Sequence, residues 1–415
     1  MNEVVRGQVA AVRVSRNATF LDVGIPGDDF TQIVVTGEVE QSVKIGDIVS
    51  AEGELGETAV SVRRGLGQVS LFAEDVETIA DNRRPRWPGA DTRERHAAQA
   101  QYVDMLRRRH ATHKGLRDTL DAEGYTAVDT SILQKTASGA AARTFDTVAN
   151  FDGRERHLRI APEIDLKVVM ALSGLERVYE LGRLFRNEGT DTRHHPEFTN
   201  VEAYTAYQTR EEAISLTERL LTDIAKAQGT DCNFTNIRRA SVAELFKEQD
   251  VSFEKILRYV DADDVEALRA YSKTVGVADV DNRGASGIID AIMKRRVRPT
   301  IDAPLIVGGY LSDQLPLASS LKSDERFADA FQVILKTAEM VKAYQEEVDP
   351  EKLRKKLIRQ AGEDVEDAFR NDTRLIDACE MGLPPMYGIG IGLDNFTATI
   401  TGRPTRKVIP MPIDL

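Results

Sequence analysis

At roughly 150 residues per domain, a chain of 415 residues holds two to three domains and can bury a sizeable core, which excludes a small disulfide-stapled module. It is 41% hydrophobic and 29% charged, and no apolar run approaches the roughly 20 residues needed to cross a bilayer, so a soluble protein with no membrane partner is expected. Lys and Arg number 55 against 67 Asp and Glu, a net charge of −12, so contact with a nucleic acid would need a local basic patch on an acidic body. The opening stretch, MNEVVRGQVAAVRV, has no basic flank leading into an apolar core, which predicts neither a secretory signal nor an anchor and points to the cytoplasm. Cys232 and Cys379 lie in neither C-x-x-C nor C-x-x-H spacing, which argues against a zinc site or a disulfide framework.

Residues 1–80 read as short strands. Val4–Val14, Thr19–Val23, Gln32–Val35, Ile48–Gly53 and Val69–Phe72 are rich in β-branched or aromatic residues and are separated by Gly, Asp and Asn. Five strands in this length suit a small closed barrel such as the OB-fold, with other small β-barrels as alternatives. Residues 81–97 hold two prolines and the single tryptophan and read as a linker. A helical region follows through Leu120, ended by Gly124, and Val128–Leu133 reads as a strand. From there strands and helices mix without βαβ regularity, which predicts an α+β domain on an antiparallel sheet over residues 98–415. Residues 236–300, rich in Ala, Glu, Asp and Lys, read as an inserted helical layer.

Candidate chemistry concentrates in three places. Arg177–Tyr207 reads as a long-looped hairpin, and the strand period of two sets Leu184, Arg186 and Glu188 on one face and Phe198, Asn200, Glu202 and Tyr204 on one face of the return. A guanidinium there suits phosphate or carboxylate, the carboxylates suit an amine, and the rings suit a base; a solvated, salt-bridged face would use the same residues. Gly388, Gly390 and Gly392 fall on one strand face and Ile389 and Ile391 on the other, leaving a bare face, with Asp394 set to cap the next helix. Glu339, Lys342 and Glu346, at i, i+3 and i+7, read as a charged helix face.

Taken in order, these segments resemble the class II aminoacyl-tRNA synthetases, and among them the lysyl branch. FRNEGTDTRHHPEFT (Phe185–Thr199) is close to motif 2 of that family, and RIAPEIDLK (Arg159–Lys167) and GLPPMYGIGIGLD (Gly382–Asp394) support it independently. The resemblance implies an N-terminal OB-fold anticodon-binding barrel over 1–80 and a class II catalytic domain over 98–415. It further implies ATP and Mg2+, lysine and tRNA-Lys as partners, and a homodimer through motif 1. Arg186 would bridge the α-phosphate and the substrate carboxylate, Glu188 and Phe198 would hold adenine, and Arg193 and His194 would face the outer phosphates. Glu163 and Glu202 match positions for the α-amine, Tyr204 and Glu346 those for the ε-ammonium, and Glu339 a magnesium ligand. In the barrel, Phe20, Gln32 and Asp75 fall where the family reads the anticodon.

The chain departs from the family at several of these positions. Asn395 stands where motif 3 has arginine, and removing one charge about 4 Å from phosphate forfeits on the order of 4 kcal/mol at an effective dielectric near 20, before solvent or metal restores any of it. Gln332 replaces a second metal-binding glutamate, Lys342 an asparagine near the amino-acid pocket, Ala140 a glycine, and Ser131 the motif 1 proline. Arg403 and Arg406 are candidates for the missing charge. A buried carboxylate set lacking any cation would be costly, so a diamine-like amino acid is the expected ligand. Two other readings share these residues: a lysine-activating paralogue that uses a protein or small-molecule acceptor, and an impaired lysine- or tRNA-binding regulator.

Overall fold

A computed structural model describes residues 2–25, 28, 30–36, 43–57, 69–82, 92–136, 142–363 and 373–412. The chain divides into two compact units, Met1–His110 and Ala111–Leu415. In the first, the strands are β1 (Glu3–Val14), β2 (Thr19–Val23), β3 (Thr31–Val35), β4 (Ile48–Glu57), β5 (Val69–Ala73) and β6 (Glu77–Ala80). Five coincide with the sequence-based strands; the short, exposed β6 carried too little apolar pattern to be seen. Antiparallel pairs β1–β2 and β2–β3, parallel β3–β5, then antiparallel β5–β4 and β4–β1 make the pairing return on itself. Leu21, Ile33, Val49 and Leu71 alternate inward to a single apolar cluster, as the period of two requires. Phe20 and Gln32 take the opposite face, half-buried, and Asp75 is exposed, its carboxylate accepting from the Val76 amide at 2.7 Å.

Helix α1 (Thr92–Ala122) is already under way within the residues read as a linker, of which 83–91 lie outside the described residues, as does Ala140. Gly124, at φ +80°, follows its end. The expected strand Val128–Leu133 is not formed; only β7 (Thr126–Ala127) and β8 (Leu133–Gln134) are, because Thr130 between them turns its hydroxyl to Glu180 Oε2 at 2.7 Å. Then come β9 (Asp146–Val148), β10 (Glu155–Leu158), α2 (Glu163–Ser173), β11 (Arg177–Phe185), β12 (Glu197–Ala206) and α3 (Arg210–Gln228). Residues 236–300 open with a strand, β13 (Arg238–Ser241), before helices α4 (Val242–Glu248), α5 (Phe253–Asp261), α6 (Val265–Thr274) and α7 (Ala285–Ile292). The remainder is β14 (Leu305–Gly308), β15 (Ser320–Leu321), β16 (Asp324–Ala328), β17 (Ala330–Leu335), β18 (Ala338–Gln345), α8 (Pro350–Glu363), α9 (Arg374–Glu380), β19 (Met386–Gly392) and α10 (Leu393–Thr401). Among the described residues, no helix is long and apolar enough to cross a membrane.

The second unit is α+β, organised on an eight-stranded sheet of order β13-β14-β17-β18-β19-β12-β11-β7 whose pairs are antiparallel except the two outermost. One sheet face packs on α3, α10 and the end of α1: Tyr179, Val201, Ala203, Val341, Ala343, Ile389 and Ile391 meet Leu116, Leu120, Leu220, Ile224 and Phe396. A second cluster ties α4–α7 to β14 and β17, and a third lies among α2, α8 and α9.

Residues 338–345 form a strand, not the charged helix face that their spacing suggested. Ala, Glu, Met and Lys are good helix formers, but both flanks of β18 are taken by β17 and β19, and ladder pairing overrides local propensity. The register slips by one residue between Val333 and Ile334, and beyond that slip Glu339 reaches the same side as Lys342 and Tyr344.

The other sheet face carries a buried ion pair. Arg159 and Glu180 are 2% and 3% exposed and hydrogen-bond directly; Arg159 Nε also donates to the Arg183 carbonyl at 2.9 Å, and its Nη1 to Thr130 Oγ1 at 2.9 Å. Gly182 makes room for it, since a Cβ there would lie 2.3 Å from Arg159 Nη2. Removing one partner leaves the other charge buried and uncompensated. Arg159→Met is therefore expected to lower the unfolding free energy by about 3–5 kcal/mol in urea titration; a loss under about 1 kcal/mol would show that the pair does not anchor β11.

Candidate active site

The hairpin expected from Arg177–Tyr207 is present as β11 and β12, paired from Arg177↔Thr205 to Phe185↔Glu197. Across it, Glu202 stands beside Gly390 and Tyr204 beside Gly388, while Lys342 and Tyr344 flank those glycines from β18. With isoleucines on the core side and glycines on the other, the bare face becomes the floor of a cavity of about 1060 Å³. Gly388 is the critical one: a Cβ there would come within 2.4 Å of Glu346 Oε1 and 2.6 Å of Tyr204 Cε1. At Gly390 the nearest atom would be 3.7 Å away.

The cavity gathers Glu163, Arg186, Glu188, Arg193, His194, Phe198, Glu202, Tyr204, Gln332, Glu339, Lys342, Glu346 and Asn395. Leu184, expected on the Arg186 face, is instead core, because β11 ends at Phe185 and Arg186 and Glu188 reach the cavity from the loop. Arg403 and Arg406 do not line it; Thr405 does, its hydroxyl donating to the Arg193 carbonyl at 2.9 Å. Asp394 does not cap α10. It is fully buried and accepts the Thr199 amide at 2.7 Å, which pins the helix start to β12.

Two chemistries occupy the cavity. Arg186 stacks on Phe198, its guanidinium carbon 5.2 Å from the ring centroid, and its buried Nε has no hydrogen-bond partner among the described residues. Burial lowers its pKa against the pull of Glu188, Glu202 and Glu339, so an anion would find it poorly neutralised. Arg193 bonds Thr337 Oγ1, and Asp191 holds both the His194 amide (2.8 Å) and its ring Nδ1 (2.7 Å). Elsewhere carboxylates dominate. Glu202 accepts from Asn200 Nδ2 at 2.8 Å and Tyr204 Oη at 2.9 Å, and Glu163 accepts from Tyr344 Oη at 2.6 Å. Burial, reinforced by Glu163, pushes Glu202 up to about 7, and burial raises Glu346 well above the usual carboxylate range.

These carboxylates do not lack a cation of their own, which corrects the premise from which a diamine ligand was inferred. Lys167 Nζ sits 2.7 Å from Glu163 Oε1 and 2.5 Å from Glu346 Oε2. Its signal in the sequence is the i, i+4 spacing Glu163–Lys167 in a helix whose one other charged residue is Asp165. The residues expected at the metal are also engaged: Arg298 Nη2 lies 3.0 Å from Glu339 Oε2, and Tyr310 Oη donates to Gln332 Oε1 at 2.7 Å. Tyr344, Tyr310 and Arg298 were missed, Tyr344 because reading 338–345 as a helix hides its alternation with Lys342 and Glu346.

Residues 90–414 match the family of tRNA synthetases class II (D, K and N), and the chain belongs to that family. Among its relatives is the lysine–tRNA ligase of Oceanobacillus iheyensis, 31% identical over 402 residues that cover 90% of this chain and 79% of that protein. The lysine–tRNA ligases of a Synechococcus strain (33% identical, 89% of this chain, 78% of that protein) and of Streptococcus mutans (32%, 93% and 79%) are similarly close.

Two outcomes follow from the cavity floor. Gly388→Ala is expected to lose about 1–3 kcal/mol of stability through overpacking, while Gly390→Ala stays near wild type in the same denaturation series. The folded protein holds the Glu202 proton up to about pH 7, whereas a free glutamate releases it near 4.5. This group's contribution to ligand-free stability is thus complete below pH 4.5 and is lost as the pH rises to 7, about 3 kcal/mol in all. Glu202→Gln should flatten that part of the stability–pH curve; an unchanged slope would contradict the raised pKa.

Proposed function

We propose that this chain activates lysine with ATP and transfers it to tRNA. The observation that carries the reading is the meeting, in one cavity, of Glu163, Glu202, Tyr204 and Glu346 with an under-neutralised Arg186 stacked on Phe198. Under this reading Glu163 and Glu202 take the α-ammonium of lysine, Tyr204 and Glu346 its ε-ammonium, and Arg186 its carboxylate together with the α-phosphate. Glu188 and Phe198 hold the adenine, and Arg193 and His194 the outer phosphates. The lysine carboxylate attacks the α-phosphorus, the bond to the bridging oxygen breaks, and pyrophosphate departs with that electron pair. The 3′-terminal hydroxyl of tRNA then displaces AMP from the lysyl carbonyl. Positioning and charge neutralisation supply most of the catalysis, and the protein provides no obligatory general base.

Magnesium fits this site only as an ion carried on the phosphates. Among the described residues no three His, Cys, Asp or Glu are grouped to hold a metal, Gln332 is taken by Tyr310, and the carboxylate assigned to the metal, Glu339, is paired with Arg298. That suits an ion that keeps several waters and needs one or two carboxylates; bound there, it would neutralise phosphate charge. Lys342, in place of an uncharged amide, adds a cation to the cavity, and Ala140 lies outside the described residues.

The returning strand order of the first unit supports an OB-type barrel, on which Phe20 would stack a base and Gln32 and Asp75 would read base edges in the anticodon. The reading carries with it a cytoplasmic homodimer formed around Ser131, which light scattering tests.

Purified protein is expected to support lysine-dependent ATP–pyrophosphate exchange, with Arg186→Ala slowed by about 10²–10³, the usual cost of one preorganised donor. Exchange with another amino acid in place of lysine, or with none, would overturn the reading. Phe20→Ala should raise KM for tRNA in charging while leaving exchange unaltered.

A further inference from the structure

The end of the inserted helical layer delivers a buried cation to the cavity. Helix α7 runs on through one wide π-type turn, Met293–Val297, and a tight turn, Arg298–Thr300. Pro299 has no amide hydrogen to donate to the preceding turn, which helps to end the helix just past Arg298. Met293 and Val297 are buried in the cluster that ties α4–α7 to β14 and β17, so the backbone beside Arg298 is anchored. Arg298 itself is 8% exposed and lines the cavity, and its Nη2 donates to Glu339 Oε2 at 3.0 Å. Its buried Nε has no hydrogen-bond partner among the described residues.

The surroundings of this pair suit a polyphosphate better than a protein-held metal. Glu339 is close enough to Arg186 to favour its charged form, and Arg193 bonds Thr337, two residues before Glu339. Lys342, three residues after Glu339, faces the cavity beside Gln332 and makes no ion pair among the described residues. The other charges nearby are spent: Asp290 pairs with Lys294 at 2.7 Å, and Tyr310, kept neutral by burial, donates to Gln332. Glu339 could take a magnesium ion only by giving up Arg298 or by holding two cations at once. Gln332, uncharged and with its Oε1 engaged, brings nothing to offset that repulsion.

We propose that Arg298, oriented by Glu339, is a phosphate-binding residue whose remaining N–H donors take the outer phosphates of ATP in the place of a metal held by Glu339. This rests on reading the cavity as an ATP site and goes beyond it. It assigns Glu339 to a protein cation and leaves the ion that accompanies ATP bound through phosphate oxygens and water. A guanidinium suits the task, because it keeps its proton at any working pH and its planar fork can meet two phosphate oxygens at once. AMP, which lacks those phosphates, should not sense the residue.

The test measures nucleotide binding by calorimetry and, by electron paramagnetic resonance, the number of Mn2+ ions held per bound ATP. Arg298→Gln is expected to weaken ATP binding about 10- to 100-fold, the range for a lost charge-assisted hydrogen bond, while AMP and lysine bind as in the wild type. Arg298→Lys, which keeps the charge, should recover part of the loss. Equal weakening of ATP and AMP would mean a purely structural role and would overturn the proposal, as would no weakening at all. Glu339→Gln should hold as many Mn2+ ions per ATP as the wild type; loss of an ion would show that Glu339 binds metal and would equally overturn it. That count decides the matter should Arg298→Gln fail to fold. ATP binding without lysine-dependent exchange would sink the ligase reading and leave this proposal standing, whereas a wild-type protein that binds no ATP would overturn both.

Discussion

The alternation of side chains on three neighbouring strands, β12, β19 and β18, is the constraint on which the rest of the second unit depends. Val201, Ala203, Ile389, Ile391, Val341 and Ala343 point into the core, so Glu202, Tyr204, Gly388, Gly390, Lys342 and Tyr344 must point out of it. A slip of one residue in any of these pairings would exchange the two sets and bury the carboxylates in the apolar cluster. The glycines permit the closeness of the other partners: without a Cβ at Gly388, Glu346 and Tyr204 can meet over the middle strand. The apolar core thereby fixes the register of the polar site, and the site needs little rigidity of its own.

Legibility in the sequence followed the strength of local pattern. The hairpin and the glycine strand could be read because period two was clean in both, and the α+β class because no βαβ rhythm appeared. The strand at 338–345 was misread because its composition favours helix and a bulge interrupts its alternation; only pairing on both sides decides its conformation. Asp394 had the look of a helix cap, yet its buried carboxylate serves a strand amide brought close by folding. Long-range polar pairings of this kind, including Arg159 with Glu180 and Arg298 with Glu339, leave no spacing signature, since each joins residues from separate segments.

The two ends of the cavity obey opposite electrostatic logic. Around Glu163, Glu202 and Glu346, the protein buries carboxylates more densely than it neutralises them, and desolvation answers by raising Glu202 and Glu346. A cationic ligand relieves that strain and is selected by it. Around Arg186 the imbalance is reversed: a half-buried guanidinium resting on an aromatic ring keeps a buried Nε without a hydrogen-bond partner among the described residues, which an anion would complete. Two unsatisfied environments of opposite sign thus stand on one sheet, as the proposed binding of a zwitterion with an added ammonium group requires.

Asn395 is best judged within this charge distribution. Its Oδ1 is buried without a partner among the described residues, at the start of a helix that Asp394 has already pinned to β12. The cations that line the cavity are Arg186, Arg193, Lys294, Arg298 and Lys342, and Lys294 and Arg298 are committed to Asp290 and Glu339. Arg186, Arg193 and Lys342 make no ion pair among the described residues, so their charge is available to a polyanion. Lys342 therefore sets a positive charge on the middle of β18, facing the cavity, while the head of α10 carries none at Asn395.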